Sequence, residues 1–413
     1  MYLSTLNEWL TWISNIHYKE IDFGLERVKL VADRLDIISA NCPVIIVGGT
    51  NGKGSTVAGL ESIYRAAGFH VGTFTSPIIF KHNEYVRIDG ITATDEAFCD
   101  AYAKIEIARG EITLTPFEYH TLAALLIFKS HQLDVMILEV GLGGRLDAVN
   151  ILDADVAVVT SVSIDHVDYL GSTREEIGFE KAGIFRRDKP AVCGDKHPPA
   201  SLINYADQIG AKLFCQGKDF NYVENLFHWS WQSNQLIYDE LPRNALDCQN
   251  LSNVLMVITL LQDRLPVTRA AIDEGLNKVK LTGRIQIIPG AITEIYDVSH
   301  NPAAMELLKK RLKELPCDGK TLAVFSMLGD KDILNSIKNI AEEIDAWFVA
   351  PLNTSRSASK EQLVEIFSQA TIVNATFFSS IHEAYFAAKA YANSGDRIII
   401  FGSFHTVAEV MEK

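Results

Sequence analysis

Along the chain, apolar runs of strand length alternate with amphipathic stretches of helical period, and this alternation predicts most of the elements. Leu6, Leu10, Ile13 and Ile16 share one stripe and predict a helix within residues 1–40; a second helix is expected over 24–35. Val44-Ile45-Ile46-Val47 reads as a buried strand, after which Val57, Leu60, Ile63, Tyr64 and Ala67 repeat at helical spacing. Further strands are expected at 70–76, 134–140, 155–161 and 190–194, with helices over 95–108, 115–129 and within 172–187. Thr115 with Glu118 three positions later is a capping-box signature for the second of these helices. Residues 78–90 are polar and irregular and read as a functional loop, while 211–243, with Trp229 and Trp231, predicts meandering β-structure before a helix at 251–265. After Thr282-Gly283-Arg284-Ile285-Gln286 a second β/α series begins, with strands near 293–298, 320–327, 345–350, 371–378 and 397–402.

Strands alternating with helices predict parallel sheets covered on both faces. The expected fold is α/β: an N-terminal P-loop-type parallel-sheet ATPase domain over 1–285 and a smaller C-terminal Rossmann-like α/β domain over 286–413. A chain of 413 residues exceeds one ordinary core, which agrees with two domains. No G-x-G-x-x-G follows the first strand of the second series, so a dinucleotide domain is not expected.

Composition narrows the function classes. Apolar content of 48% and charged content of 22% are those of a folded soluble protein. No run approaches the roughly 20 apolar residues of a membrane span, and the opening segment carries Glu8 without Lys or Arg, unlike a signal peptide. The scattered Cys42, Cys99, Cys193, Cys215, Cys248 and Cys317 form no C-x-x-C pair; they predict reduced thiols in a cytoplasmic protein rather than a zinc site or disulfide frame. A net charge of −14 and a pI near 5.3 speak against nucleic acid as a partner. Any nucleotide site must therefore be a local positive feature of an acidic surface.

Such a feature follows the first strand: Gly48-Gly49-Thr50-Asn51-Gly52-Lys53-Gly54-Ser55-Thr56. A glycine-rich turn between strand and helix aims backbone N–H groups and the positive end of the helix at phosphate oxygens. Lys53 would lie over the outer phosphates and the Ser55 hydroxyl would reach Mg²⁺. A turn that binds nothing explains the glycines but not the lysine and hydroxyls together. Gly54 departs from the common G-x-x-x-x-G-K-[ST] form. Glu139 ends one predicted strand and His166 follows the next, so both can meet this loop at the C-terminal edge of the sheet. Glu139 reads either as a carboxylate paired with a basic neighbour or as an ion ligand, and His166 as a packed ring or a second ligand. Lys181 lies on a helix, where lysines are normally solvated. Arg284 is a surface charge or a phosphate clamp. Asp297-Val298-Ser299-His300-Asn301-Pro302 contains an N-cap, which explains Asn301 but not the whole set.

Taken in order, these motifs resemble the Mur ligase superfamily, specifically its folylpolyglutamate synthase/dihydrofolate synthase branch, along nearly the whole chain. The residues that carry the resemblance are Gly49-Thr-Asn-Gly-Lys-Gly-Ser55, in which Gly54 belongs to the superfamily's own loop variant, Thr75-Ser-Pro77 and Leu138-Glu-Val-Gly-Leu-Gly-Gly-Arg-Leu-Asp147. Ser163-Ile-Asp-His166, Glu180-Lys-Ala-Gly-Ile-Phe185, Asp297-Val-Ser-His-Asn-Pro302 and Gly402-Ser-Phe-His-Thr406 complete them. The resemblance is nearest to the bifunctional bacterial enzymes. It implies that Thr50, Asn51, Gly52, Lys53, Gly54 and Ser55 bind ATP together with Asn253 near adenine, Arg284 and Asp297. It implies Ser55, Glu139 and His166 as Mg²⁺ ligands, Lys53, Lys181 and His300 as catalytic residues, and Thr115, Phe117, Asp147 and Ala148 in a pterin pocket with segment 22–28 nearby. The implied cofactors are ATP, two Mg²⁺ ions, a monovalent cation and a carbamylated Lys181. The sequence departs from the family pattern at Tyr85, where arginine is common, at Ile78, where histidine is common, and at Val149, where threonine is common.

The expected activity is ATP-dependent amide formation in which dihydropteroate, or the glutamate tail of tetrahydrofolate, is joined to L-glutamate through an acyl phosphate. The expected protein is a cytoplasmic monomer acting on small molecules, without nucleic-acid or membrane partners. A synthase of the tail alone and a Mur-type ligase with another acceptor are alternatives, the latter disfavoured by the pterin-pocket matches. A regulatory NTPase is disfavoured because no N-K-x-D motif is present; Asn277-Lys278-Val279-Lys280 ends in lysine.

Overall fold

The structure, a computed structural model, describes residues 3–412 apart from Leu226 and Gln235. Met1, Tyr2 and Lys413 at the expected domain ends, and Leu226 and Gln235 within the expected 211–243 meander, lie outside the described residues. The chain divides into two compact units, Met1–Lys280 and Leu281–Lys413. The division precedes the expected 285/286 border because residues 283–285 bond into the second unit. The Val298 N–H donates to Gly283 O, and the Ile285 N–H donates to Asp297 Oδ2 at 3.0 Å.

Unit 1 is built on an eight-stranded sheet of order β4-β3-β2-β5-β1-β6-β7-β8. Its strands are β1 (Val44–Gly48), β2 (Val71–Phe74), β3 (Val86–Ile88), β4 (Ile91–Thr92), β5 (Val135–Glu139), β6 (Val156–Val159), β7 (Pro190–Cys193) and β8 (Lys212–Cys215). The hydrophobic run of β1 is buried at every position because neighbours flank it on both sides, β5 with Val47 opposite Glu139 and β6 with Gly48 opposite Val159. The loops after β5, β1 and β6 therefore leave one edge side by side, where ligands bind in open α/β sheets. The helix Lys53–Ala66 packs on Cys248–Leu260 and Arg269–Lys278; a Cβ on Gly275 would stand 2.6 Å from Ile63 Cα, so glycine sets that close approach.

The 78–90 segment is more regular than expected. It holds a 3₁₀ turn, His82–Tyr85, and β3, which runs antiparallel to β2. Buried Val86 and the Arg87–Glu61 ion pair fasten this strand to the body of the unit. The 211–243 region contains β9 (Phe220–Glu224), β10 (His228–Ser233) and β11 (Ile237–Pro242), an antiparallel meander with Trp229 and Trp231 buried.

Unit 2 carries a six-stranded sheet of order β12-β13-β17-β14-β15-β16. Here β12 is Gln286–Ile288, β13 Thr293–Asp297, β14 Thr321–Phe325, β15 Ala346–Val349, β16 Ala375–Phe377 and β17 Arg397–Phe401. Alternate residues of each central strand feed two cores. Ile295, Ala323, Phe325, Ile399 and Phe401 join one, and Tyr296, Leu322, Val324, Ile398 and Ile400 the other, so helices cover both faces. The series expected from the sequence was parallel; β12 instead pairs antiparallel with β13. The link 289–292 is too short for a crossover, and only an antiparallel partner can be reached through it.

Candidate active site

The loop after β1 is held in shape by the loop after β6. The Thr50 N–H donates to Ser161 O at 2.8 Å, the Asn51 N–H to Ser161 Oγ at 3.1 Å, and Thr160 Oγ1 to Asn51 O at 2.6 Å. Gly49 has φ +142°, and a Cβ there would stand 1.9 Å from Thr160 Oγ1, so no side chain fits. Gly52, at φ 89°, begins the helix Lys53–Ala66 without any side-chain cap. Lys53 Nζ donates to Gly49 O at 3.2 Å and Thr50 O at 3.3 Å, folding its ammonium back over the loop. Gly54 and buried Ser55 occupy the first helical turn. Asn250, which the sequence did not single out, lies against Gly52; a Cβ there would be 2.1 Å from its Oδ1.

Glu139 is buried at the end of β5 and accepts the Ser76 N–H at 3.1 Å. Ser76 is thus brought to the carboxylate, which follows from β2 pairing parallel with β5 and Phe74 lying opposite Leu138. His166 has φ +53°, is half-buried, and starts a single helical turn beyond β6; its N–H donates to Asp165 Oδ1 at 2.9 Å. Among the described residues no three His, Cys, Asp or Glu side chains gather into a closed ion cage. The donor chemistry of Glu139, Ser55 and His166 suits an open Mg²⁺ site, since that ion is commonly held by one or two carboxylates and completed by phosphate and water.

Lys181 is buried at 3% exposure, not solvated as a helical lysine ordinarily is. Gly144 makes this burial tight: a Cβ there would stand 3.0 Å from Lys181 O, and Arg145 N–H donates to Glu180 O at 2.8 Å. Burial and the Lys53 ammonium push the Lys181 amine down to about 7, against upward pulls from Asp165 and Asp147. Burial also raises Asp147 to about 6, although Leu142, Val149 and Gly141 N–H groups and the Lys53 charge favour its anion. Lys53, Asp147, Asp165 and Lys181 therefore form one interacting charge cluster. The Asp165 contribution was legible only as part of a motif.

The expected pterin residues meet around the 141–147 loop. Asp147 caps the 3₁₀ turn Ala148–Ile151 and accepts from Leu142 N at 2.9 Å; Ala148 is buried within that turn. Phe117 packs on Gly141, where a Cβ would be 2.6 Å from Cζ, and on Phe74 at 5.6 Å between centroids. Thr115 is occupied differently. Its hydroxyl donates to Glu118 Oε2 at 3.0 Å and accepts the Glu118 N–H, while Glu118 also pairs with Arg27. Tyr85 stacks on Phe74, and burial pushes its phenol up to about 12. Val149 is fully buried, and Ile78 is half-buried with no feature that explains its identity.

Asn253 is fully buried on Cys248–Leu260, and among the described residues neither of its amide atoms has a hydrogen-bond partner. In unit 2, buried Asp297 accepts the N–H groups of Ile285 and Ser299, and His300 Nδ1 lies 2.9 Å from Val298 O. The Arg284 guanidinium sits over Phe404 at 5.2 Å, and His300 is tilted against the same ring at 6.0 Å. Arg284, Asp297 and His300 thus share one corner of unit 2, and Arg284 belongs to that unit rather than to unit 1.

Comparison with known proteins bears on this arrangement. The Mur ligase middle domain matches residues 47–230, and the Mur ligase glutamate ligase domain matches residues 283–404. These matches, on this fold, make the chain a Mur ligase, an ATP-dependent ligase by class. The dihydrofolate synthase/folylpolyglutamate synthase of Escherichia coli is 46% identical over 409 residues, covering 99% of this chain and 95% of that protein. The protein of the same name from Haemophilus influenzae is 39% identical, covering 98% and 97%. The chain belongs to the dihydrofolate synthase/folylpolyglutamate synthase family. The solved structure of E. coli FolC in complex with DHPP and ADP superposes with a TM-score of 0.95 at 45% identity, over 100% of this chain and 98% of that one. A bifunctional folylpolyglutamate synthase/dihydrofolate synthase with Mn, AMPPNP and L-glutamate bound gives a TM-score of 0.94 at 42% identity, with the same coverage. Among the described residues no helix is long and apolar enough to cross a membrane.

Proposed function

We propose that the chain is a bifunctional ligase that adds L-glutamate to dihydropteroate and to the glutamate tail of tetrahydrofolate, with ATP converted to ADP and phosphate. The observation that carries the reading is the pre-shaped loop after β1 with Lys53 folded over it, adjoining the Asp147–Lys181 charge cluster. The relatives named as such synthases, and the bound ADP, AMPPNP, Mn, DHPP and L-glutamate of the solved relatives, support it.

In this reading the substrate carboxylate attacks the γ-phosphate, giving an acyl phosphate and ADP. The glutamate amine then attacks the acyl carbon and phosphate leaves. Residues 50–55 cradle the phosphates, and the Lys53 ammonium offsets charge on the transferring group, where positioning and electrostatics supply most of the rate. Ser55, Glu139 and His166 would hold Mg²⁺, a Lewis acid for phosphate oxygens, and the site would take two such ions and a monovalent cation. Asn253 lies by adenine; Arg284, Asp297 and His300 are the nucleotide-binding and catalytic groups we assign to unit 2. Thr115, Phe117, Asp147 and Ala148 would form the pterin pocket, in which the Asp147 carboxylate would accept from pterin N–H groups. Unit 1, Met1–Lys280, is then the ATP and pterin domain, and unit 2, Leu281–Lys413, the glutamate-ligase domain, a border five residues before the expected 285/286.

Lys181 is assigned as a carbamate. Its depressed basicity supplies the neutral amine at physiological pH; the nitrogen lone pair forms an N–C bond with CO₂ and a proton is released, turning a buried cation into an anion. The working protein is a cytoplasmic monomer without nucleic-acid or membrane partners.

The test is ATP-dependent phosphate release with L-glutamate and either dihydropteroate or tetrahydrofolate, with products identified by mass. Turnover with both establishes the bifunctional ligase, turnover with tetrahydrofolate alone leaves a synthase of the tail, and phosphate release without any acceptor defeats the ligase reading.

A further inference from the structure

Beside Asn253, unit 1 buries a second amide that finds no partner. Gln216, one residue past β8, is 2% exposed, and among the described residues neither its Oε1 and Nε2 nor Oδ1 and Nδ2 of Asn253 find a hydrogen-bond partner. Each buried polar atom left unpaired costs about 1–3 kcal/mol. Leucine or methionine would fill the same space without that cost, so four unmade bonds at one spot point to a ligand that makes them.

The two amides do share one spot. β7 and β8 run parallel with Cys193 opposite Cys215, and the Gln216 N–H donates to Cys193 O at 2.9 Å. Gly194 and Gln216 are therefore the next residues in register, and matched positions of neighbouring strands present the same face. At Gly194 that direction belongs to Asn253: a Cβ there would stand 2.2 Å from its Nδ2. Gln249 fixes this strand end from the same helix by donating from Nε2 to Gly194 O at 2.7 Å. Gln216 thus leaves the sheet beside the Asn253 amide, one strand spacing of about 4.8 Å away.

The spot is also at the right remove from the phosphates. In the order β1-β6-β7-β8, β7 and β8 stand two and three strands from β1, about 10 and 14 Å at the usual spacing, which is the span of a nucleoside from its phosphate to its far base edge. One helix, Cys248–Leu260, joins the two ends: Asn250 touches Gly52 of the phosphate loop, and Asn253 follows three residues on, on the same face.

We infer that Gln216 is a second purine-reading side chain, which together with Asn253 brackets the amino group of adenine; this rests on the reading of Asn253 as the adenine neighbour. A carboxamide pairs with adenine by accepting one N6 hydrogen and donating to N7, and it can pair in the same way with N6 and N1. One amide satisfies one side of the amino group. Two satisfy both amino hydrogens and both flanking ring nitrogens.

The test compares ATP with purine riboside triphosphate, which lacks the 6-amino group, in the full-length enzyme with L-glutamate and tetrahydrofolate. Gln216→Leu should raise KM for ATP and shrink the preference in kcat/KM for ATP over purine riboside triphosphate by about tenfold, the worth of one well-made hydrogen-bond pair. Equal losses with both nucleotides, or an unchanged preference, overturn the inference and leave Gln216 a packing residue. Should Gln216→Leu fail to fold, Gln216→Met keeps the length of the side chain but removes the acceptor as well as the donor, and the same ratio decides. Wild-type enzyme that turns over neither nucleotide strikes the ligase reading itself, whereas normal turnover with an unchanged preference in the variant strikes only the role of Gln216.

Discussion

Two helix starts in unit 1 handle the same physical problem in opposite ways. Gly52 begins Lys53–Ala66 with no side-chain cap, whereas Thr115 begins Pro116–Lys129 with a reciprocal bond pair to Glu118, which Arg27 secures in turn. The first N–H groups of any helix need acceptors from outside it. At Pro116–Lys129 the chain supplies its own, and the start of the helix is a structural joint. At Lys53–Ala66 the N-cap is a glycine that supplies no side-chain acceptor, and the positive end suits an anion. A helix start therefore marks a ligand site where it goes without a side-chain cap, and a stability device where its polar residues bond one another.

The sharpest way to break this comparison is Lys53→Ala. Turnover should fall by about 10³-fold or more, with a melting temperature close to that of the wild type; retained phosphate release would remove the loop from the reaction. Gly49→Ala comes next. A Cβ at φ +142° facing Thr160 should cost about 1–3 kcal/mol, lower the melting temperature and weaken ADP binding measured by calorimetry. An unaffected ADP titration would mean that the tie between the loops after β1 and β6 does not shape the site.

Lys181→Met separates stability from activity. In the folded protein before carbamylation the Lys181 amine sits at about 7, below its ordinary 10.5, so between those values the unfolded chain binds more protons and stability rises with pH. Below 7 both states are protonated and the full penalty remains. Methionine removes that penalty and should stabilise the protein at pH 7 by on the order of 1–3 kcal/mol, while turnover is lost; a melt showing destabilisation would mean the buried amine is held by compensating partners. The smallest effect is expected for Thr115→Ala, about 0.5–2 kcal/mol of stability from the lost cap, with nucleotide binding unchanged. A rise in KM for dihydropteroate out of proportion to that loss would make Thr115 a pterin contact as well as a cap.

What could be read from the sequence follows the same division. The loop after β1 is contiguous, and its glycines, lysine and hydroxyls carry their geometry locally, as does the Thr115–Glu118 box. The strand run at 134–140 likewise identified Glu139 at a sheet edge. Lys181 was legible only through the family resemblance, because its burial depends on Gly144 and the 141–147 loop, which close over a helix whose own period says nothing of it. Gln216 was missed for a related reason: only the register of β7 with β8 brings it beside Gly194. The antiparallel β12 and the regular β3 depend on connection length and on the partners Glu61 and Phe74, which local pattern does not report.

The bonds from Thr160, Ser161 and Ser163 to the loop after β1 have one more consequence, in time rather than in space. A flexible glycine loop must search for its bound shape after each encounter, and that search slows capture. Here the shape is fixed before the guest arrives, so most collisions that reach the loop in the right orientation can be productive. Nucleotide arrival is then governed by diffusion and charge, and the slow events of the cycle are left to steps that come after it.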